Sequence, residues 1–137
     1  MTGVADGFLQ SYPKRCSMSS PKLKANWPWP AELDAMTAAA QYHTVLLENE
    51  RVRVLETCIP AGHSTPLHTH RWASALHLLS FSEFIRRDQN GQVLLDTRQL
   101  PASSKRPEMQ WSEAMPPHSV ENVGNGDLRV INFELKD

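Results

Sequence analysis

From residue 43 onward the chain is built of short runs of β-branched and aliphatic residues, at 43–47, 51–59, 75–80, 83–87, 93–98, 109–113, 119–122 and 128–135. Turn formers interrupt these runs roughly every ten residues, the pattern of an all-β sandwich or barrel. Asn49 marks the first turn, and Pro60-Ala61-Gly62 breaks the second run ahead of a short strand carrying His68 and His70. Asp88-Gln89-Asn90-Gly91 predicts a tight hairpin, because Asn-Gly readily supplies positive φ. A Pro- and Ser-rich loop follows at 100–107, and Gly124-Asn125-Gly126-Asp127 is the last turn. Ahead of the strands, the Ala-rich stretch 31–41 contains neither Gly nor Pro and predicts one short helix. Residues 1–30 have little periodicity and much Ser, Lys and Pro, so they read as an irregular tail, with Met18 an alternative start. Trp27 and Trp29 are expected to leave water by packing across the domain or onto a second subunit. The organisation expected is a tail over 1–30 and one β domain over 31–137.

A chain of 137 residues suits one domain with a useful core. Its formal net charge of −1, with acids and bases interspersed, points to no nucleic acid and no membrane surface, and leaves a small molecule as the expected partner. Cys16 and Cys58 lack metal-ligand spacing and give little reason to expect a disulfide, which fits a reducing cytoplasm. The sequence has no apolar run of secretory-signal type and no stretch near the ~20 apolar residues that cross a bilayer.

Histidine carries the candidate chemistry. Side chains alternate along a strand, so His68 and His70 share a face and can bind one metal ion, for which neutral imidazole is a common ligand. His118, in Pro116-Pro117-His118-Ser119-Val120-Glu121-Asn122, is the third candidate, and three protein ligands leave positions open, as catalytic sites require. His63 lies in a turn and is expected to be solvated, His77 is out of phase with Ser74 and Leu76 and should face outward, and His43 reads most simply as structural. Arg53, Arg86, Arg87 and Arg129 lie on predicted strands. Most should be solvated, but one pointing inward would suit a substrate carboxylate, and only one of the adjacent Arg86 and Arg87 can do so.

The spacing Gly62-x5-His68-x-His70, followed by His118-x3-Asn122, resembles the two motifs of the cupin superfamily over about 45–135. The resemblance implies a jelly-roll β-barrel. The glutamate and glycine that normally follow the first motif fall on Ser74 and Phe81, and the Pro and Gly of the second fall on Glu113 and Met115. A serine adds almost no charge, so the implied site is a neutral three-histidine one, His68, His70 and His118, holding Fe(II), Mn(II), Zn(II) or Ni(II). The pocket would be lined by Leu76, Leu78, Val120 and Met109, with Ser74 at the glutamate position and Trp72 at the mouth. No tyrosine falls within the motif segment to serve as in thiol-dioxygenase-like members. The preferred expectation is a metal-dependent enzyme acting on a small organic molecule, dioxygenase-like or isomerase-like. The alternatives are a non-catalytic cupin that binds a metabolite or metal, and a purely structural barrel. A homodimer is expected, since such barrels often pair through strand exchange.

Overall fold

The computed structural model describes residues 27–104 and 106–137. Among these residues nine strands form two antiparallel sheets: β1 (His43–Glu48), β2 (Val52–Ile59), β3 (His68–His70), β4 (Ser74–Ser80), β5 (Phe84–Asp88), β6 (Val93–Asp96), β7 (Met109–Ser112), β8 (Met115–Asn122) and β9 (Leu128–Leu135). One sheet runs β1-β2-β9-β4-β7 and the other β3-β8-β5-β6. All the strand expectations are met, with ends moved by a few residues. The largest changes are β8, which starts at Met115 and runs through both prolines, and the end of the 93–98 run, where Thr97–Gln99 coils into a 3₁₀ turn capped by Asp96.

Between the sheets, alternation along β2, β4 and β9 sends Leu55 and Ile59, Leu76 and Leu78, and Leu128 and Val130 inward. Tyr42, Ile59 and Leu128 form a buried cluster with Leu78, Phe84, Val120 and Val130 packed against it. Burying each such side chain contributes about 1.5–3 kcal/mol. Gly62, with φ 82°, and Gly91, with φ 83°, take the backbone through turns that a side chain would strain. The first opens the loop that leads from β2 to β3, and the second closes the β5–β6 hairpin.

The helix expected over 31–41 is broken. Ala31–Leu33 and Ala40–Tyr42 are 3₁₀ turns flanking a single α-helical turn, α1 (Ala35–Ala38). Asp34 causes the break: its extended backbone bridges to Thr69, and its carboxylate caps α1 by accepting from the Met36 N–H at 3.0 Å. Of the tail expected over 1–30, residues 1–26, Cys16 among them, lie outside the described residues, whereas Trp27 and Trp29 line a groove with Arg53 and Trp72. Among the described residues no helix is long and apolar enough to cross a membrane, and Cys58 is a free, half-buried thiol.

Candidate metal centre

His68 and His70 sit on β3 with ring centroids 5.1 Å apart, both buried as parity demands. Strand β8 lies alongside and pairs His118 with His68, so that these rings are 4.4 Å apart, while His118 and His70 are 5.7 Å apart. The three expected histidines therefore meet at one end of the space between the sheets. A fourth joins them. His43, at the start of β1, packs 5.1 Å from His68 and 5.3 Å from His70, and one ring nitrogen from each of His43, His68 and His70 lies within 4.8 Å of the others. His43, which reads as structural in the sequence, therefore stands inside the cluster. The residue is brought in by the opposite sheet, and neither its spacing nor its neighbours in sequence carry a motif.

The remaining ring nitrogens settle the tautomers. Nδ1 of His43 meets the Ala39 carbonyl at 3.0 Å, that of His68 the Pro66 carbonyl at 2.9 Å, and that of His118 the Pro116 carbonyl at 2.8 Å. A carbonyl oxygen only accepts, so each Nδ1 carries the proton. Nδ1 of His70 faces Glu134 Oε2 at 2.8 Å and donates likewise. Every Nε2 is left with its lone pair, and the Nε2 of His43 is buried with no hydrogen-bond partner among the described residues. An orphaned buried acceptor is costly, and a metal ion would satisfy it. Burial, reinforced by the neighbouring imidazoles and by Arg53 or Arg86 around all but His68, lowers the pKa of His43 and of His68 to about 4, of His70 to about 3 and of His118 to about 2. All four rings are neutral at pH 7, the form in which imidazole binds metals.

A carboxylate does stand near the histidines, although not at Ser74. Glu134 on β9 is fully buried, and its Oε1 accepts from Arg53 Nε at 2.7 Å while Oε2 takes the His70 proton. Arg53 continues to Asp34, its Nη1 at 2.9 Å and Nη2 at 3.0 Å from the two carboxylate oxygens. Burial pushes the Glu134 pKa up, and the hydrogen bond and charge of the Arg53 guanidinium oppose that shift. Ser74 is buried as the cross-strand neighbour of Glu134 and is not in the cavity wall. Sequence reasoning overlooked Glu134, although its place on a strand ending in alternating Asn132, Glu134 was a usable signal.

Beside the histidines lies a cavity of about 180 Å³, smaller than the ~300–1,000 Å³ of drug-sized pockets. Leu76, Leu78 and Val120 line it as expected, together with Phe81, Leu95 and Arg86. Met109 does not. It is 55% exposed, and Gln110, one position on, faces the cavity instead. Trp72 is also misplaced by the expectation: it stacks on Arg53 and Lys136, at 5.0 and 5.4 Å, in the separate groove beside Trp27 and Trp29. His63 is exposed, and its Nδ1 lies 3.0 Å from the Tyr42 hydroxyl. His77 faces outward toward Glu108. Asn122 spends all of its side-chain capacity on structure, accepting from Ser82 and the Gly124 N–H and donating to the Ile59 and Gly126 carbonyls.

No protein-family model matches the chain, and no curated protein matches it. Solved structures do. A cupin domain from Bordetella pertussis Tohama I is similar over 69% of this chain and 92% of its own, with a TM-score of 0.53 and 20% identity. An uncharacterised conserved protein with a double-stranded β-helix domain from Klebsiella pneumoniae is similar over 87% of this chain and 91% of its own, with a TM-score of 0.51 and 16% identity. An RmlC-like cupin family protein from Methanocaldococcus jannaschii is similar over 68% of this chain and 77% of its own, with a TM-score of 0.50 and 13% identity. These likenesses establish the fold as the cupin double-stranded β-helix and carry no activity with them.

Proposed function

We propose that His43, His68, His70 and His118 hold one divalent transition metal ion through their Nε2 atoms, and that the protein is a metal-dependent enzyme acting on a small organic molecule in the adjoining cavity. The observation that carries this reading is a set of buried, neutral imidazoles whose Nδ1 protons are all engaged elsewhere: ring nitrogens of His43, His68 and His70 lie within 4.8 Å of one another, the His118 ring adjoins those of His68 and His70, and the His43 Nε2 has no partner among the described residues. Fe(II), Mn(II), Zn(II) and Ni(II) all suit an imidazole donor set. When bound, the ion would supply an electrophilic centre beside the substrate.

The chain's own residues would orient and enclose. Carbonyls of Ala39, Pro66 and Pro116 and the carboxylate of Glu134 fix the imidazole planes, as partners of metal-binding histidines do. Leu76, Leu78, Phe81, Leu95 and Val120 keep water away from the reacting molecule. Among the described residues the cavity wall contains no Asp, Glu, Tyr, Lys or Cys, so its only titratable groups are the histidines and Arg86. An isomerase-like reaction needs a positioned acid or base. The wall therefore favours a dioxygenase-like reaction, in which the metal and not a side chain supplies the reactivity. The same scarcity supports a second reading, a non-catalytic cupin that binds a metabolite or a metal.

The free Cys58 thiol suits a reducing cytoplasm, and the exposed apolar edge at Val45, Leu46 and Leu47 suits a homodimer. Elemental analysis of protein purified without a metal-binding tag tests the central claim. Near one equivalent of a first-row metal is expected, and a metal-free preparation that also fails to take up added Zn(II), Mn(II), Fe(II) or Ni(II) overturns it. Oxygen uptake with candidate substrates separates the enzyme from the binding protein.

A further inference from the structure

Arginines on these strands are matched with acids, with one exception. Arg53 meets Asp34 and Glu134, Arg87 meets Glu121, and Arg129 meets Glu56. Arg86 on β5 points into the cavity, and it makes no hydrogen bond or ion pair with any described residue. Its cross-strand neighbours, Leu95 on β6 and Val120 on β8, are apolar cavity-lining residues. Burial alone shifts its pKa, downward, with no acid to oppose the shift. A guanidinium remains charged under these conditions. The protein thus holds a partly buried cation, with no acid beside it among the described residues, next to the imidazole cluster, close enough for its charge to disfavour protonation of His70 and His118. Isolated charges in apolar surroundings are destabilising and are ordinarily paired.

We infer that Arg86 is the anchor for a substrate carboxylate, and that the cavity takes a small carboxylic acid with an apolar body. The guanidinium offers a planar fork of donors that matches a carboxylate in a bidentate pair. Phosphate offers the fork an anion but gives the apolar wall no hydrocarbon to cover, so a carboxylic acid with an apolar body is the better match. The rest of the wall, with Leu78, Phe84, Leu95 and Val130, suits hydrocarbon, and the cavity of about 180 Å³ limits its size. The inference deepens the proposed metal-dependent reading by naming its substrate class, and it rests on that reading only for the chemistry, since the anchor is provided by the protein alone.

The test uses the full chain as purified, titrated by calorimetry with butyrate and benzoate, with butyramide and benzamide as uncharged counterparts, and with inorganic phosphate. The wild type should bind the acids in preference to the amides and phosphate. Arg86→Gln should weaken the acids about tenfold or more, the scale of a charge-assisted hydrogen bond, with metal content unchanged. Arg86→Lys keeps the charge without the fork and should fall between; it carries the test if the glutamine variant does not fold. His118→Ala separates the two claims: it should lose metal and still bind the acids. Acid binding by wild type that His118→Ala abolishes and Arg86→Gln leaves intact would assign the carboxylate to the metal and overturn the inference. So would equal affinity for acids and amides, tighter binding of phosphate, or no binding of either acid. Acid binding lost in Arg86→Gln, in a protein that never takes up metal, would uphold the anchor while removing the metal centre.

Discussion

Which nitrogen of an imidazole can reach a metal is decided by what its other nitrogen touches, and here three backbone carbonyls and one carboxylate make that decision for four histidines. At the scale of single residues this gives a sharp expectation for His43. His43→Ala should lower metal affinity as much as His68→Ala, His70→Ala or His118→Ala, at least tenfold, whereas His77→Ala should leave it unchanged; metal titration of the five variants checks this. A loss with His77, or full affinity without His43, would sink the four-histidine assignment. His68 and His70 were legible because strand parity operates within three residues, and His118 because of the family spacing. His43 was not, since its partner residues are supplied by a sheet-to-sheet contact that no local pattern encodes. The lowered pKa values also fix a pH dependence for the metal-free protein. The unfolded chain takes up protons near the ordinary histidine value of 6.5, while His43 and His68 resist them to about 4 in the fold. Below pH 6.5 the unfolded state binds more protons, so stability is full above that pH and falls as pH drops toward 4, by on the order of 3 kcal/mol per such histidine. Denaturation midpoints at stepped pH, with and without added Zn(II), should show this acid lability and its relief by metal. A flat profile between pH 7 and 4 would mean the rings are not buried neutral.

Between elements, the chain His70–Glu134–Arg53–Asp34 ties β3 to β9, β2 and the N-cap of α1. It explains why a segment of good helical composition is cut at Asp34: the carboxylate has a buried arginine to meet as well as a helix to cap. Removing one member of a buried pair strands the other, which costs roughly 3–5 kcal/mol. Glu134→Gln should therefore lower the unfolding free energy by about that much, and should also weaken metal binding about 10–100-fold, because it loosens the hydrogen bond that orients His70. A Gln variant with wild-type metal affinity would show that Glu134 braces the fold alone. At this scale most strands were legible from alternation, yet β7 was inverted. Met109 was expected in the pocket wall, yet it and Trp111 are both over half exposed while Gln110 turns to the cavity. Alternation reports which face is apolar, and equates that face with the interior only where the other face meets water.

The inverted strand bears on the whole molecule. Across the outer face of the five-stranded sheet the register aligns Leu47, Val54, Phe133, Ala75 and Trp111 in one apolar row running from edge to edge. Leu47 and Trp111 are 52% and 53% exposed, and the β1 edge adds Val45 and Leu46. A contiguous apolar face that ends in an apolar edge with no strand beside it among the described residues is the kind of surface through which chains associate. The proposed homodimer covers both at once, and it accounts for hydrophobic selection at positions that point away from the cavity. Sedimentation equilibrium should find a dimer for the wild type. Phe133→Glu, which adds a charge at the centre of the row and touches no residue of the histidine cluster, should shift it to monomer while metal content stays near the wild-type value. A wild type that remains monomeric across the accessible concentration range would remove the dimer. Dissociation accompanied by loss of metal would mean instead that the two faces of this sheet are mechanically linked, with His43 on β1 the residue through which disturbance of the edge reaches the site.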